Sequence, residues 1–351
     1  MPKKIVYFTK YSRNGASSRL RSFQYIDKLV AENDVEITVQ SLFSEEYLEK
    51  RYKNQSILKE TFIGYFSRFF FLFKIFKYDK IVIEKELFPY VPALFEWILF
   101  QLNVKYIVDY DDAIFHNYDQ DPRFIVRKIF GKKIASVIKY ANIVVVGNSY
   151  LENYAIQSQA KKIVIIPTVI DIERYLPKND YFNNNIFTIG WIGTPKTIRY
   201  FKGNLEYIIS DYKNNFKIIT IGGKLEACDF LYEFIEWNEN TEVDSIKKLD
   251  VGIMPLHDFD FDKGKCAYKL IQFMACGIPV IASPVGVNSE IIQEGFNGFL
   301  VHEANDWKKH INYFIQNPDQ IKILGEQARQ TILKKYTLQV QYPILKKLLE
   351  I

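Results

Sequence analysis

The stretch Val251–Leu300, VGIMPLHDFDFDKGKCAYKLIQFMACGIPVIASPVGVNSEIIQEGFNGFL, constrains the fold of this 351-residue chain more than any other part of it. VGIMPL is a short apolar run closed by Pro255, which reads as the end of a buried strand. DFDFDKGKC has no hydrophobic period and reads as a polar loop. AYKLIQFMAC spaces Leu270, Ile271, Phe273 and Met274 as one face of a short helix. Gly277 is placed to stop that helix as a C-cap, and PVIAS follows as a β-branched strand. Strand, loop, helix and strand in this order make one unit of an open α/β sheet, whose loops meet at the carboxyl edge where such sheets bind ligands.

Two lysines fall on that edge. Lys265 is in the loop and Lys269 in the first turn of the helix, where unpaired N–H groups already favour an anion. The next loop, Pro284-Val285-Gly286-Val287-Asn288, opens a second helix at Ser289-Glu290. Two cations and two helix starts aimed at one crevice predict a diphosphate ligand.

The run KLIQFMACGIPVIAS resembles the nucleotide-sugar site of the retaining GT-B glycosyltransferases, the large family four. In that family a Glu, seven residues and a second Glu precede a small-residue helix and a G-x-P-V-(I/V)-A strand. The resemblance implies two doubly wound, Rossmann-like α/β domains facing across a cleft. It also implies transfer of a sugar from a UDP- or GDP-type donor with retained configuration. This chain departs from the pattern at both acidic positions: Gly264 stands at the first Glu and Gln272 at the second. Gln272 is still able to hydrogen-bond the ribose diol. Gly264 offers no side chain, which passes the contact with the donor sugar to Asp262 or Lys265.

Composition fits this class. Hydrophobic residues make up 48% and charged residues 25% of the chain, as in a globular protein of two ordinary domains. Cys228, Cys266 and Cys276 have neither metal spacing nor an even count, which points to a reducing, cytoplasmic compartment. The scattered His116, His257, His302 and His310 form no metal cluster, and no metal or further cofactor is expected. After Lys3-Lys4 only the strand-length run IVYFT follows, so no signal peptide is read. Residues 1–175 hold 26 Lys and Arg against 20 Asp and Glu, whereas the remainder holds 20 against 21. The basic half suits an anionic partner, or is simply a solvated face.

In the first half, IVYFTKY is a strand and SRNGASSRLR a loop opening a helix, with Ser17 or Ser18 as N-cap. Such a loop faces the cleft in GT-B enzymes, which makes Arg19 and Arg21 candidates for an anionic acceptor group. Residues 61–80, TFIGYFSRFFFLFKIFKYDK, are nine parts in twenty Phe or Tyr with Arg68, Lys74, Lys77 and Lys80 interleaved. Charge interrupts this segment too often for a membrane span. An interfacial amphipathic helix on an anionic membrane has this composition, and so does a core helix with snorkelling lysines. It is too apolar for a nucleic-acid groove.

KYIVDYDDAIFHNY ends a strand with Asp109, Asp111 and Asp112. A D-x-D run holds a divalent metal in GT-A glycosyltransferases, but that fold leaves everything after residue 180 unexplained. A subset of GT-B enzymes carries a similar D-x-D-D-A run in the first domain, so Asp111 and Asp112 are read as cleft residues on a sugar. His116 stands nearest to the His that many relatives use. RKIFGKKIASVIKYA reads as one basic helix.

Pro167–Asp171 resembles the family's crossing between domains. The boundaries are set at 1–175, 176–335 and a returning C-terminal helix at 336–351, with the polar tract Lys178–Asn185 as linker. In the second half, IFTIGWIGTPKTIRYF is a strand, loop and helix. Gly193, Thr194 and Lys196 match the family's donor-phosphate loop, with Arg199 as a further cation. Gly222 and Gly223 end the next strand, where a base or ribose would approach. Gly286, Val287 and Asn288 supply N–H groups, and Glu290 binds sugar hydroxyls or only caps its helix dipole. Lys265 and Lys269 carry the leaving diphosphate. The acceptor implied is a glycan or lipid-linked precursor of a bacterial surface polysaccharide. Two alternatives remain: a nucleotide-sugar epimerase or hydrolase on the same fold, and a non-catalytic nucleotide-sugar-binding protein.

Overall fold

Runs such as Ile5–Thr9 and Val144–Val146 are buried at successive positions, the pattern of parallel strands covered on both faces. The computed structural model describes residues 2–32, 34–181, 186–209, 216–226 and 230–351. Cys228 and the linker residues 182–185 lie outside the described residues. The chain forms two units. Unit 1 is Met1–Thr168 with Gly264–Cys266 and Tyr342–Ile351, and unit 2 is Val169–Lys263 with Ala267–Gln341. Val169–Tyr175 thus goes with unit 2, earlier than the boundary read from the sequence, and the last helix is shared at Gln341/Tyr342.

Unit 1 runs β1 (Lys3–Tyr11), α1 (Ala16–Ser18), a π-helical turn (Arg19–Phe23), α2 (Gln24–Glu32), β2 (Val35–Phe43), α3 (Glu45–Tyr52), α4 (Leu58–Leu72) and β3 (Lys80–Glu84). It continues α5 (Leu94–Gln101), β4 (Ile107–Tyr110), α6 (His116–Asp119), α7 (Phe124–Phe130), α8 (Lys133–Tyr140), β5 (Ile143–Val146), α9 (Ser149–Gln157) and β6 (Ile163–Ile165). The six parallel strands lie in the order β2-β1-β3-β4-β5-β6. Strand order reverses direction between β1 and β3, which opens a crevice at their carboxyl ends. Right-handed crossovers place α1 and α2 on one face of the sheet and α3 to α9 on the other.

Two local expectations are corrected in this unit. Gly15, not Ser17 or Ser18, is the N-cap residue of α1, and no side chain caps it. The Ser18 hydroxyl instead accepts from Tyr11 N–H and donates to Glu84. The basic helix is two helices, α7 and α8, broken at Gly131-Lys132.

Unit 2 runs β7 (Phe187–Ile192), α10 (Ile198–Lys202), α11 (Leu205–Ile209), β8 (Phe216–Ile221), β9 (Tyr232–Ile235), α12 (Glu242–Lys247), β10 (Val251–Met254) and α13 (Asp260–Lys263). After it come α14 (Tyr268–Ala275), β11 (Val280–Ala282), α15 (Val287–Ile291), β12 (Gly298–Leu300), α16 (Ala304–Gln316), α17 (Asp319–Lys335) and α18 (Leu338–Leu349). Its six parallel strands are ordered β12-β11-β10-β7-β8-β9, with the reversal between β7 and β10.

The unit read first from the sequence is present as β10–α13–α14–β11, with one helical turn inside the polar loop. Gly277 follows α14 at φ +74, the left-handed conformation of a helix stop. α14 is not half-exposed, however: Leu270 to Cys276 are all buried, so the helix lies inside the unit rather than on its surface.

Candidate functional site

In unit 2 the reversal between β7 and β10 gathers the residues expected to hold a donor. β7 ends at Gly193, where an added Cβ would lie 2.6 Å from the Trp191 ring and 2.7 Å from Lys269 Nζ. Only a residue without a side chain leaves room for that ammonium. Lys269 Nζ stands 4.3 Å from the centre of the buried Trp191 ring, in cation–π contact. β8 ends at Gly222, with φ +82, where a Cβ would approach Gly193 O to 2.4 Å. At Gly223 an added Cβ would lie 2.8 Å from the same tryptophan ring. Three glycines, an indole and a lysine thus form a bare backbone edge with one cation over it.

The neighbouring loops complete this edge. Thr194 N–H donates to Thr197 Oγ1 at 3.0 Å, which closes the turn before α10, and Lys196 is exposed on that turn. Gly286 has φ +55, and a Cβ there would meet Lys263 O at 2.5 Å, so the start of α15 is also glycine-dependent. Val287 and Asn288 are buried behind it, and Asn288 Nδ2 donates to Ser283 O at 3.0 Å. Glu290 is exposed on α15.

Two donor-side expectations are corrected. Gln272 does not face a ligand: it is buried, and its Nε2 donates to the Tyr175 hydroxyl at 2.9 Å. That hydroxyl donates to the buried Glu242 and lies 3.0 Å from the Tyr268 hydroxyl, while Trp237 Nε1 and Arg174 also bind Glu242. Burial pushes the Tyr175 hydroxyl well above its ordinary range, and the Tyr268 and Glu242 neighbours add to this. Asp262, offered as a substitute for the missing Glu, is buried and accepts from the Tyr200 hydroxyl at 2.9 Å.

In unit 1 the crevice between β1 and β3 is charged. Lys85, the residue just after β3, has φ +68 and is almost wholly buried. Its Nζ lies 2.9 Å from Asp111 Oδ1 and 3.5 Å from Asp112 Oδ2. Ser17 donates to the other oxygen of Asp111, and Ser18 and Lys10 N–H bind Glu84. Burial opposes the charge on Lys85, but Asp111, Asp112 and Glu84 outweigh it and hold the ammonium protonated well above its ordinary range.

Burial likewise disfavours the Asp111 carboxylate. The Lys85 and Arg21 charges and the Ser17 hydroxyl overcome this and draw its pKa below the ordinary value. Asp112 is raised, by burial and then by the Asp111 charge, although a third of its side chain stays exposed. An ammonium between the two carboxylates stands where the D-x-D reading would put a metal. Among the described residues no His, Cys, Asp or Glu group of three is arranged to hold one.

The acceptor-side expectations are also corrected. Arg21 is not available to an incoming anion, because its guanidinium binds Asp109 through two nitrogens and Ile166 O through the third. Arg19 is buried as well. His116 is held from both sides, with Nδ1 2.9 Å from Asp119 and Nε2 2.9 Å from the Tyr150 hydroxyl.

The two lysines expected on one anion divide between the units, Lys269 in unit 2 and Lys265 in unit 1. In unit 1, Lys265 moderates the rise at Asp112. Its neighbour Gly264 packs so tightly that a Cβ would lie 2.4 Å from Ala113 Cβ, and Asn148 Nδ2 donates to Gly264 O at 2.9 Å. The glutamate of the family pattern has no space here. Lys85 went unread in the sequence, although its signal was present: the charged triplet EKE directly follows the apolar run IVI at a strand end.

Residues 232–331 match the family model of the glycosyl transferases group 1. The chain is 23% identical over 333 residues to an uncharacterized glycosyltransferase of Methanocaldococcus jannaschii, covering 87% of this chain and 88% of that protein. It is 24% identical over 207 residues, half of each chain, to the UDP-Gal:alpha-D-GlcNAc-diphosphoundecaprenol alpha-1,3-galactosyltransferase of Escherichia coli. Among solved structures, Anabaena Alr3699/HepE in complex with UDP-glucose superposes with a TM-score of 0.69 at 13% identity, covering 99% of this chain and 100% of that one. Residues 232–331 are thus similar to the group 1 glycosyl transferases, and the two six-stranded parallel-sheet units share the GT-B fold of the solved glycosyltransferase structures.

Proposed function

We propose that this protein transfers a hexose from a nucleoside-diphosphate sugar to a glycan or lipid-linked acceptor, with retention and without a metal, on the cytoplasmic side of bacterial surface-polysaccharide assembly. The observation that carries this reading is the edge built by Gly193, Gly222 and Gly223 under Lys269. A diphosphate needs close backbone approach and positive charge aimed at its oxygens, and that edge offers both. As the donor's glycosidic bond breaks, charge collects on the leaving diphosphate. Lys269 stabilises it, with Lys196 and the N–H groups of Gly193 and of residues 286–288 in support. The UDP-glucose complex of the structural neighbour and the UDP-sugar named for the Escherichia coli relative favour a uridine nucleotide. Asp111 and Asp112, fixed by Lys85, accept hydrogen bonds from sugar hydroxyls.

A second reading, a nucleotide-sugar-binding protein without transfer, is favoured by the loss of both family glutamates, at Gly264 and Gln272. Thermal unfolding with UDP, GDP, ADP and CMP, without metal and then with manganese, tests the donor site. A ligand held only by the folded state at a hundred times its Kd adds about 2.7 kcal/mol. A metal-independent rise with UDP, abolished in Lys269→Ala, is expected. No rise with any nucleotide refutes the donor site. A rise with UDP-glucose but no nucleotide released in the presence of candidate acceptors selects the second reading.

A further inference from the structure

We propose that the helical face of unit 1 built by α4, α5 and α7 docks on an anionic lipid surface. α4 does not bury its aromatic side as a core helix does. Phe62, Phe66, Phe70 and Phe73 are exposed, Phe62 and Phe73 to 70%, and their rings contact one another in sequence, Phe62 stacked on Phe66 and the others tilted. Phe69 joins this row and meets Phe95 of α5 edge-on at 6.0 Å. Beyond Phe95, Leu94 and Trp97 are exposed on α5, and Phe124, Ile125 and Ile129 on α7. These helices all lie on the face of the sheet that receives α3 to α9. Between α4 and the Phe88–Phe95 segment runs a groove of about 240 Å³, lined by apolar and aromatic side chains.

Charge selects the occupant. Every glutamate between residues 58 and 140 (Glu60, Glu84, Glu86 and Glu96) is buried, whereas Lys59, Lys74, Lys77, Arg123, Arg127, Lys128 and Lys132 are exposed. Glu60 is paired to Lys50, and Glu86 to the buried Lys133. Arg68, grouped with the outward cations in the sequence reading, instead points inward and is fully buried. Glutamates turned in, cations turned out and aromatics at the surface form a patch that a soluble monomer rarely shows, although Asp79 just before β3 stays exposed. It is the composition of a helix lying in the headgroup layer with aromatics at the acyl boundary. Among the described residues no helix is long and apolar enough to cross a membrane, so the contact is interfacial.

Trp97 reports this contact, because it is exposed on α5, whereas in unit 2 Trp191 and Trp307 are buried and Trp237 is part-buried with its Nε1 bonded to Glu242. Full-length protein is mixed with vesicles of phosphatidylcholine, or of equimolar phosphatidylcholine and phosphatidylglycerol, with brominated acyl chains. Quenching is expected on the anionic vesicles, and it disappears in Trp97→Phe. Each surface cation contributes roughly fivefold to partitioning, so joint Lys59→Gln, Lys74→Gln and Lys77→Gln substitution lowers it on the order of 100-fold. Phe62→Ser with Phe70→Ser changes only exposed positions and abolishes quenching while the far-ultraviolet spectrum is kept. Unquenched Trp97 on both vesicle types overturns the proposal, as does equal quenching on both. So does a dimer by sedimentation that Phe62→Ser dissociates in protein that ignores vesicles. Nucleotide binding is read separately, so failure here leaves the donor site intact.

Discussion

Replacing Lys85 by methionine removes the ammonium that bridges Asp111 and Asp112 while keeping the length of the side chain. Lys85 is 4% exposed and the Asp111 side chain 12%, so little solvent can take the place of the cation at the carboxylate left behind. Breaking a buried pair from one side costs about 3–5 kcal/mol. The share from Asp112 is small, because a third of its side chain meets solvent. A loss near the lower end, about 3 kcal/mol at neutral pH, follows for Lys85→Met.

The pH dependence separates this cause from simple misfit. Asp111 has a depressed folded pKa, so its stabilisation is present above its unfolded value of about 3.9 and is lost as pH falls through the folded value. Lys85 has a raised folded pKa, so its contribution is complete below about 10.4 and is lost as pH rises through the folded value. The wild type minus Lys85→Met difference is therefore greatest between these limits and shrinks in acid, where a protonated Asp111 no longer needs the cation. Equilibrium urea unfolding by circular dichroism, at neutral pH and in acid, measures it. A difference below about 1 kcal/mol at neutral pH, or one that persists unchanged in acid, refutes the buried-pair argument.

Two further outcomes are expected. Gly264→Ala places a methyl 2.4 Å from Ala113 Cβ and 2.7 Å from Ala113 N, an overpacking worth about 1–3 kcal/mol that calorimetry reads as a lower Tm. Gly264→Glu, which restores the family residue, lowers it further and does not raise donor affinity. Arg68→Met removes the hydrogen bonds that Thr9 O, Gln40 O and Leu87 O accept from the guanidinium, and is expected to cost about 3 kcal/mol or more in chemical denaturation.

Much of the architecture was legible because local patterns here agree with the fold. The apolar runs of β10 and β11, Gly277 at the end of α14 and Pro255 after β10 each carry their own structural reason. The glycines at 193, 222 and 223 were read at strand ends, and there they meet around Trp191 and Lys269. What failed was the direction of individual side chains. Arg21 and Gln272 were assigned to ligands because they stand at the cleft-facing loop and the second acidic position of the family pattern. Each found a buried partner distant in sequence, Asp109 for Arg21 and Tyr175 for Gln272. Arg68 was grouped with the lysines of its segment, and only the carbonyls of β1 and β2 explain its inward course.

The sequence by itself determined two parallel α/β units, the glycine-bearing strand ends and the aromatic, basic character of residues 61–80, since all of these follow from periodicity, glycine and composition within short windows. Tertiary structure decided which charges pair and which face water. It set Lys85 between two aspartates, closed the Gly264 position against Ala113 and turned every glutamate between residues 58 and 140 inward. The physical reason is that desolvation and pairing depend on what lies within a few ångströms in space, and those neighbours come from strands and loops far apart in the chain.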